Sequence, residues 1–492
     1  MSARRRAKDQ RARRNRTPRD QAASRRLSNA QHLKALQEWL LPDEGIFASL
    51  ALHGNTKWRP AGLMWLALCW GWAESKNVTD AFETALGQCR LLGTTPLSTY
   101  QGFMGALVTR TDRLMGALWP LLHRCMDRIG GRFWQIGDWV PIAFDGSRSS
   151  APRTKANEKA LCASNYGNGQ TAKYRKKKTK GLRRRKNEKH KPQPQQPQAW
   201  ITLLWHMGLR LPWMWRLGPS NSSERTHVKE MLAVGDFPKN TLFCGDAGFI
   251  GYPLWAQILS GGYQFLVRVG ANVSLLTEAT DWTSGKDNLV LCWPKAARQS
   301  GRPPLRLRLM QVKIGKTRMW MLTSVLEPWK LTKTQLVRLY KMRWGIEVEF
   351  RGLKQTLDRA KLRCRNDQRL LAELNWSIMA MAVAELFALK QQLAPARTKS
   401  DSAADPKKRS LANTLRALRS CLCNLQDVAA AGQDLLTRLR LAVTDNYVRN
   451  SSKKARYRPP NPDKKPLGDP DIRKLTKDEK ENLNALTAQT AA

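Results

Sequence analysis

From about Gln31 to Ile136 apolar residues recur at helical spacing, in HLKALQEWL, MWLALCWGW, DAFETALGQCRLL and GFMGALVTRTDRLMGALWPLLHRCM. Gly and Pro separate these segments, so the region is predicted to be all-helical. The pattern then changes. Trp139-Val-Pro-Ile-Ala-Phe144 is a short apolar run that ends on Asp145, with the turn formers Gly146 and Ser147 behind it, as expected of a strand delivering an aspartate to its end. AWITLLWHM and RLPWMWRLG follow as two strands joined at Gly208. Asn221-Ser-Ser-Glu224 has the spacing of a capping box and opens the helix ERTHVKEMLAV. Thr241 to Cys244 is again short and apolar, followed directly by Gly245 and Asp246, then by a helix (YPLWAQIL) and a strand (YQFLVRV).

Strand, hairpin, helix, strand, helix, strand is the order of an RNase H-like mixed sheet, in which the first and fourth strands are neighbours. Asp145 and Asp246 are then expected side by side at one sheet edge. From Gly270 to Leu326 the pattern stays extended, with Leu305, Leu307 and Leu309 alternating with Arg306, Arg308 and Met310. A small β-domain inserted into the catalytic core is predicted there. WSIMAMAVAELFAL is apolar all round, as a buried helix is.

The expected organisation is therefore α/β. A basic, unstructured arm (1–30) precedes a helical, DNA-contacting domain (31–136). The first part of the catalytic core (137–269) contains a basic low-complexity insert (152–198). The β-insertion (270–327) and the second part of the core (328–394) come next. A linker with a helical C-terminal region (395–450) and a basic, unstructured tail (451–492) complete the chain.

Composition narrows the function. Lys and Arg number 85 against 39 Asp and Glu, a formal charge of +46 over 492 residues. Self-repulsion on that scale calls for a polyanionic partner, first of all nucleic acid. The longest apolar run, Ala61 to Trp72, is too short to span a bilayer, and the Arg-rich N-terminus lacks the apolar stretch of a secretory signal. A cytoplasmic, nucleoid-associated protein with no membrane partner is expected. The nine cysteines form no C-x-x-C pair and the six histidines no ligand spacing, which argues against structural zinc and for buried, reduced thiols.

The chemistry centres on LVRLYKMRWGIEVEFRGLKQTL. Here Tyr340, Arg343, Glu347 and Lys354 are 3, 4 and 7 positions apart, so one helix would stack them in a stripe. A carboxylate flanked by two cations and a phenol suits a metal-bound phosphodiester: the acid holds a cation, its neighbours hold phosphate oxygens. With Asp145 and Asp246 it completes a set of three carboxylates. Hard oxygen ligands of this kind suit Mg²⁺ or Mn²⁺, and two ions could serve an in-line displacement. Asp138, Asp236 and Glu349 are rival acids. Strand polarity, helix capping and helix phase set them aside, Glu349 facing solvent or the interior. No Ser/His/Asp set, Walker loop or H-E-x-x-H competes.

The order PIAFDGS, DAGF and the Tyr-Arg-Glu-Lys stripe resembles the IS-four family of bacterial insertion-sequence transposases, whose Y-R-E-K signature has this spacing. The resemblance implies a DDE transposase with Asp145, Asp246 and Glu347 as catalytic metal ligands. It implies that Tyr340, Arg343 and Lys354 contact the terminal DNA phosphates beside a flipped base, for which Trp320 is a candidate stacking partner. It further implies double-stranded DNA partners (terminal inverted repeats and target) and a homodimer on paired ends. The expected function is cut-and-paste transposition: hydrolysis at the element's ends, then joining of the 3′-ends to target DNA. The alternatives are a metal-dependent nuclease on the same fold, or a non-catalytic DNA-binding derivative.

Overall fold

The computed structural model describes residues 27–162, 196–278, 288–394, 405–444 and 468–491, apart from positions 51, 53–55, 57, 95, 96, 316 and 431. Most of the N-terminal arm, most of the basic insert and the 395–404 linker fall outside them. The chain divides into two compact units, residues 1–117 with 383–444, and residues 118–382 with 445–492.

The first unit is helical. Its opening helix α1 (Asn29–Leu40) starts at a capping box: Ser28 Oγ accepts from the Gln31 amide, and Gln31 Oε1 accepts from the Ser28 amide. The box satisfies two otherwise orphaned backbone donors. Helix α2 (Pro60–Trp72) begins on a proline, which suits a first helical position, and from Leu63 onward its side chains are buried throughout. Helices α3 (Val78–Leu91) and α4 (Tyr100–Gly130) pack aromatic rings with it, Phe103 meeting Trp70 at 5.4 Å and Phe82 at 5.2 Å. The C-terminal segment joins this core. The helix Leu411–Cys423 carries Arg419, which donates to the Trp72 carbonyl at 2.7 Å.

The second unit is built on a ten-stranded mixed sheet, flanked by helices. Its strands are β1 (Val140–Ser150), β2 (Gln198–His206), β3 (Leu211–Gly218), β4 (Thr241–Gly245), β5 (Gln264–Val269), β6 (Ser274–Thr277), β7 (Asn288–Cys292), β8 (Leu305–Ile314), β9 (Thr317–Thr323) and β10 (Asp471–Lys474). Their order is β10-β6-β7-β8-β9-β5-β4-β1-β2-β3. Five of these strands, in the order β3-β2-β1-β4-β5, form the RNase H-like core. Within it β1 is antiparallel to β2 and parallel to β4, and β4 is parallel to β5. The first and fourth strands are neighbours, as their apolar patterns imply.

Two features differ from the sequence expectation. The insertion strands do not build a sheet of their own: β9 pairs antiparallel with β5 through Leu266↔Thr323 to Val269↔Trp320, so β6 to β9 extend the core sheet. An edge strand with free backbone donors and acceptors is completed most cheaply by another strand. The C-terminal stretch expected to be an unstructured tail is partly ordered: β10 pairs in parallel with β6, and Arg473 and Glu479 then join in a two-pronged ion pair. The preceding residues 445–467 lie outside the described structure.

In chain order the second unit's helices include α5 (Lys155–Leu161), α6 (Glu224–Val234), α7 (Tyr252–Ser260), α8 (Lys333–Arg343) and α9 (Gly345–Arg351). Helix α5 occupies the start of the region expected to be a basic loop, capped by Thr154 Oγ1 on the Asn157 amide. Helix α10 (Asp367–Gln392) follows in chain order. It is long and apolar enough to cross a membrane, yet 89% of its apolar window is buried in the protein, as in a core helix. None of the described cysteines is in a disulfide, and most are buried.

Candidate active site

Strand pairing brings the two aspartates together. The parallel ladder between β1 and β4 reaches Ala143↔Cys244, and two residues further along each chain stand Asp145 and Asp246. β1 continues through this point instead of turning at Gly146: Asp145 to Ser150 pair with Leu203 to Gln198 of β2. The turn expected at Gly146 and Ser147 is therefore absent, because the hairpin strand is long enough to satisfy those backbone groups in the ladder. Asp246 lies just past the end of β4, where its Oδ1 accepts from the Gly248 amide at 2.7 Å and fixes the loop.

The stripe comes from three consecutive pieces rather than one uniform helix. Tyr340 and Arg343 end α8, Trp344 links to α9, which carries Glu347, and Lys354 sits in a π-helical turn, Gly352–Thr356. A wider turn changes the phase set by 3.6 residues. Lys354 nevertheless reaches β1, where its Nζ donates to Ser147 Oγ at 2.7 Å. Helix α8 packs on β4 and α9 on β1. Gly345 permits this approach: a Cβ there would collide with the Trp205 ring and lie 2.7 Å from Arg210 Nη1.

Arg343 is the most constrained residue of the site. Its side chain is 5% exposed, Nη1 stands 3.6 Å from Asp145 Oδ2, and Nε and Nη1 make no hydrogen bond. The guanidinium lies 5.6 Å from the Tyr340 ring centroid and 6.0 Å from that of Trp344. Tyr340 is buried, so its ring supports Arg343 from below. Buried donors without hydrogen-bond partners are costly, and a guanidinium so placed is suited to take an oxygen of an anion.

The carboxylates feel one another. Burial pushes the Asp145 carboxyl up to about 6, against the Gly146 amide and Arg343, which favour its charge; Asp246 and Glu347 push it further up. Asp246 and Glu347 are both half-buried. Among the described residues no three acids stand close enough together to hold one ion as they lie. The donor set still fits hard divalent cations, which commonly take one or two carboxylates and complete their shell with water and phosphate. Neighbouring carboxylates that resist ionisation are relieved by such a cation.

The rivals separate cleanly. Asp138 and Asp236 are exposed. Glu349 is buried, and Trp205 Nε1 donates to it at 3.3 Å, so it is structural rather than solvent-facing. Trp320 is not available for stacking, since it is buried with its Nε1 donating to Asp469 Oδ1 at 2.6 Å. Sequence reasoning missed Glu224. The helix cap is Ser223, which accepts from the Thr226 amide, so Glu224 is the first helical residue and not the closing acid of a capping box. Its side chain is thereby released toward β1. The first-turn acid was the visible signal, but capping explained it away.

Residues 140–383 match the family model described as a transposase DDE domain. The chain is also similar to a solved piggyBac transposase synaptic complex with hairpin DNA, with a TM-score of 0.38 and 12% identity, covering 92% of this chain and 84% of that one. No curated protein matches it. The matched residues run from β1 well into helix α10 and contain Asp145, Asp246 and Glu347.

Proposed function

We propose that the protein is an insertion-sequence transposase of the IS-four type. It binds the terminal inverted repeats of its element, cleaves them by metal-assisted hydrolysis, and joins the freed 3′-ends to target DNA. Asp145, Asp246 and Glu347 would hold Mg²⁺ or Mn²⁺, two ions in all. Such cations would supply Lewis-acid stabilisation of the developing phosphate charge and a more acidic attacking water or hydroxyl. The chain's own residues do the rest. Arg343, buried and short of partners, donates to a phosphate oxygen. Lys354, steadied by Ser147, places a second positive charge beside it. Tyr340 keeps the guanidinium in position. The chain is expected to work as a homodimer on two paired ends.

The observation that carries the reading is the meeting of Asp145 and Asp246 on adjacent parallel strands with Arg343 unsatisfied beside them. The test is Glu347→Gln, assayed for cleavage and strand transfer on a DNA end. Cleavage and joining should both fall at least a thousandfold, while DNA binding stays within about threefold. Cleavage at the wild-type rate would overturn the assignment. Cleavage without joining by the wild-type protein would point instead to a nuclease.

A further inference from the structure

Glu224 lies close to Asp145 without belonging to Arg343's helix. It opens α6, which packs on β1, β2 and β3. Its carboxyl group rests over Gly146, the residue after Asp145: a Cβ at position 146 would lie 2.6 Å from Glu224 Cδ and overlap Oε1. The amide of that same Gly146 donates to Asp145 Oδ1 at 2.8 Å. Both acids therefore crowd one peptide, and only glycine leaves room for it.

The ordinary explanation for an acid at this position is the helix N-terminal dipole. Here the cap is already made by Ser223, and the Glu224 side chain leaves its own helix for the strand. Among the described residues its carboxylate has no hydrogen bond or ion pair. The adjacent cations are otherwise engaged: Arg148 lies over the Trp200 ring at 4.1 Å, and Arg225 Nη1 donates to the Ile250 carbonyl at 3.0 Å. Asp145 and Asp246 both act on it electrostatically, and burial, followed by these two charges, pushes its carboxyl up to about 7. The second observation is Arg343, nine-tenths buried, whose Nη1 forms an ion pair with Asp145 Oδ2 at 3.6 Å while its Nε makes no hydrogen bond. A guanidinium with a spare buried donor beside carboxylates suits a cation-bound phosphate.

We propose that Glu224 is a fourth carboxylate of the divalent-cation site, donating an oxygen to a cation held together with Asp145 or Asp246. The inference rests on the reading of Asp145, Asp246 and Glu347 as cation ligands. Divalent cations relieve the repulsion among neighbouring carboxylates.

The test is Mn²⁺ binding to the full-length protein without DNA, followed by the free-ion electron paramagnetic resonance signal, in wild type, Asp145→Asn, Glu224→Gln and Glu230→Gln. Glu230 is an exposed acid of the same helix and serves as the control. Asp145→Asn and Glu224→Gln should each weaken Mn²⁺ binding about tenfold or more, and Glu230→Gln should not. Glu224→Gln binding Mn²⁺ like wild type while Asp145→Asn is weakened would overturn the role of Glu224 alone. Unchanged binding in both would overturn the cation site itself. Should Glu224→Gln fail to fold, Glu224→Asp takes its place, read as the Mn²⁺-dependent rise in Tm. A rise smaller than that of wild type supports the proposal, and an equal rise overturns it.

Discussion

Lys354 Nζ donates to Ser147 Oγ at 2.7 Å, joining the π-helical turn beyond Glu347 to the strand that carries Asp145. The two residues lie 207 positions apart in the chain. This bond fixes the distance between the last acid's helix and the first acid's strand. Burial also lowers the lysine's pKa, so the ammonium gains from a nearby acceptor.

Ser147→Ala should therefore reduce strand transfer more than DNA binding, because it frees Lys354 without removing its charge. The stability cost should be about 0.5–1.5 kcal/mol, the usual net value of one hydrogen bond. Chemical denaturation and a single-turnover joining assay measure the two effects separately.

Arg343→Gln should abolish joining and also lower the stability of the DNA-free protein. It removes the buried cation that pairs with Asp145 and leaves that carboxyl without its partner. A thermal melt in EDTA beside a joining assay checks the pair of outcomes. A fall in Tm with joining left at the wild-type rate would show that Arg343 serves the fold alone.

Gly345→Ala should destabilise the second unit by about 1–3 kcal/mol, the range for overpacking a tight contact. The added Cβ meets Trp205 and Arg210, so α9 must lift away from the sheet. Glu347 moves with that helix, and cleavage should fall along with Tm.

The second unit should weaken in mild acid through His123. Burial holds its pKa down to about 4, its ring stacks on Trp213 at 3.6 Å, and Nε2 meets the Trp213 carbonyl at 2.8 Å. The folded pKa lies below the unfolded value, so the contribution is full above about pH 6.5 and is lost as pH falls toward 4. Between pH 6.5 and 5 the loss is on the order of 2 kcal/mol. The loss of stability between the two pH values should be smaller in His123→Gln than in wild type by about that amount.

Local chemistry wrote much of this protein legibly. Apolar runs ending on Asp145 and Asp246 marked two strands, and helical spacing marked the Tyr340 to Lys354 stripe. The core topology followed from the order of these elements, since short connections and right-handed crossovers leave few ways to wind them. What the pattern missed lay where tertiary pairing overrides local preference. Gly146 and Ser147 are turn formers that a long partner strand holds extended, and Trp320 was an aromatic whose partner, Asp469, is distant in sequence.

By itself, then, the chain's sequence determined which residues could do the chemistry: three acids of the right type and order, two cations and a phenol beside the last, and a charge of +46 that demands a polyanion. Only the tertiary structure decided how they meet. Parallel pairing of β1 with β4 sets Asp145 against Asp246, and burial leaves Arg343 unsatisfied beside them. A helix cap moved from Asn221 to Ser223 turns Glu224 toward the strand. Such outcomes depend on which groups lose water together, and that is a property of packing between segments hundreds of residues apart, not of any one of them.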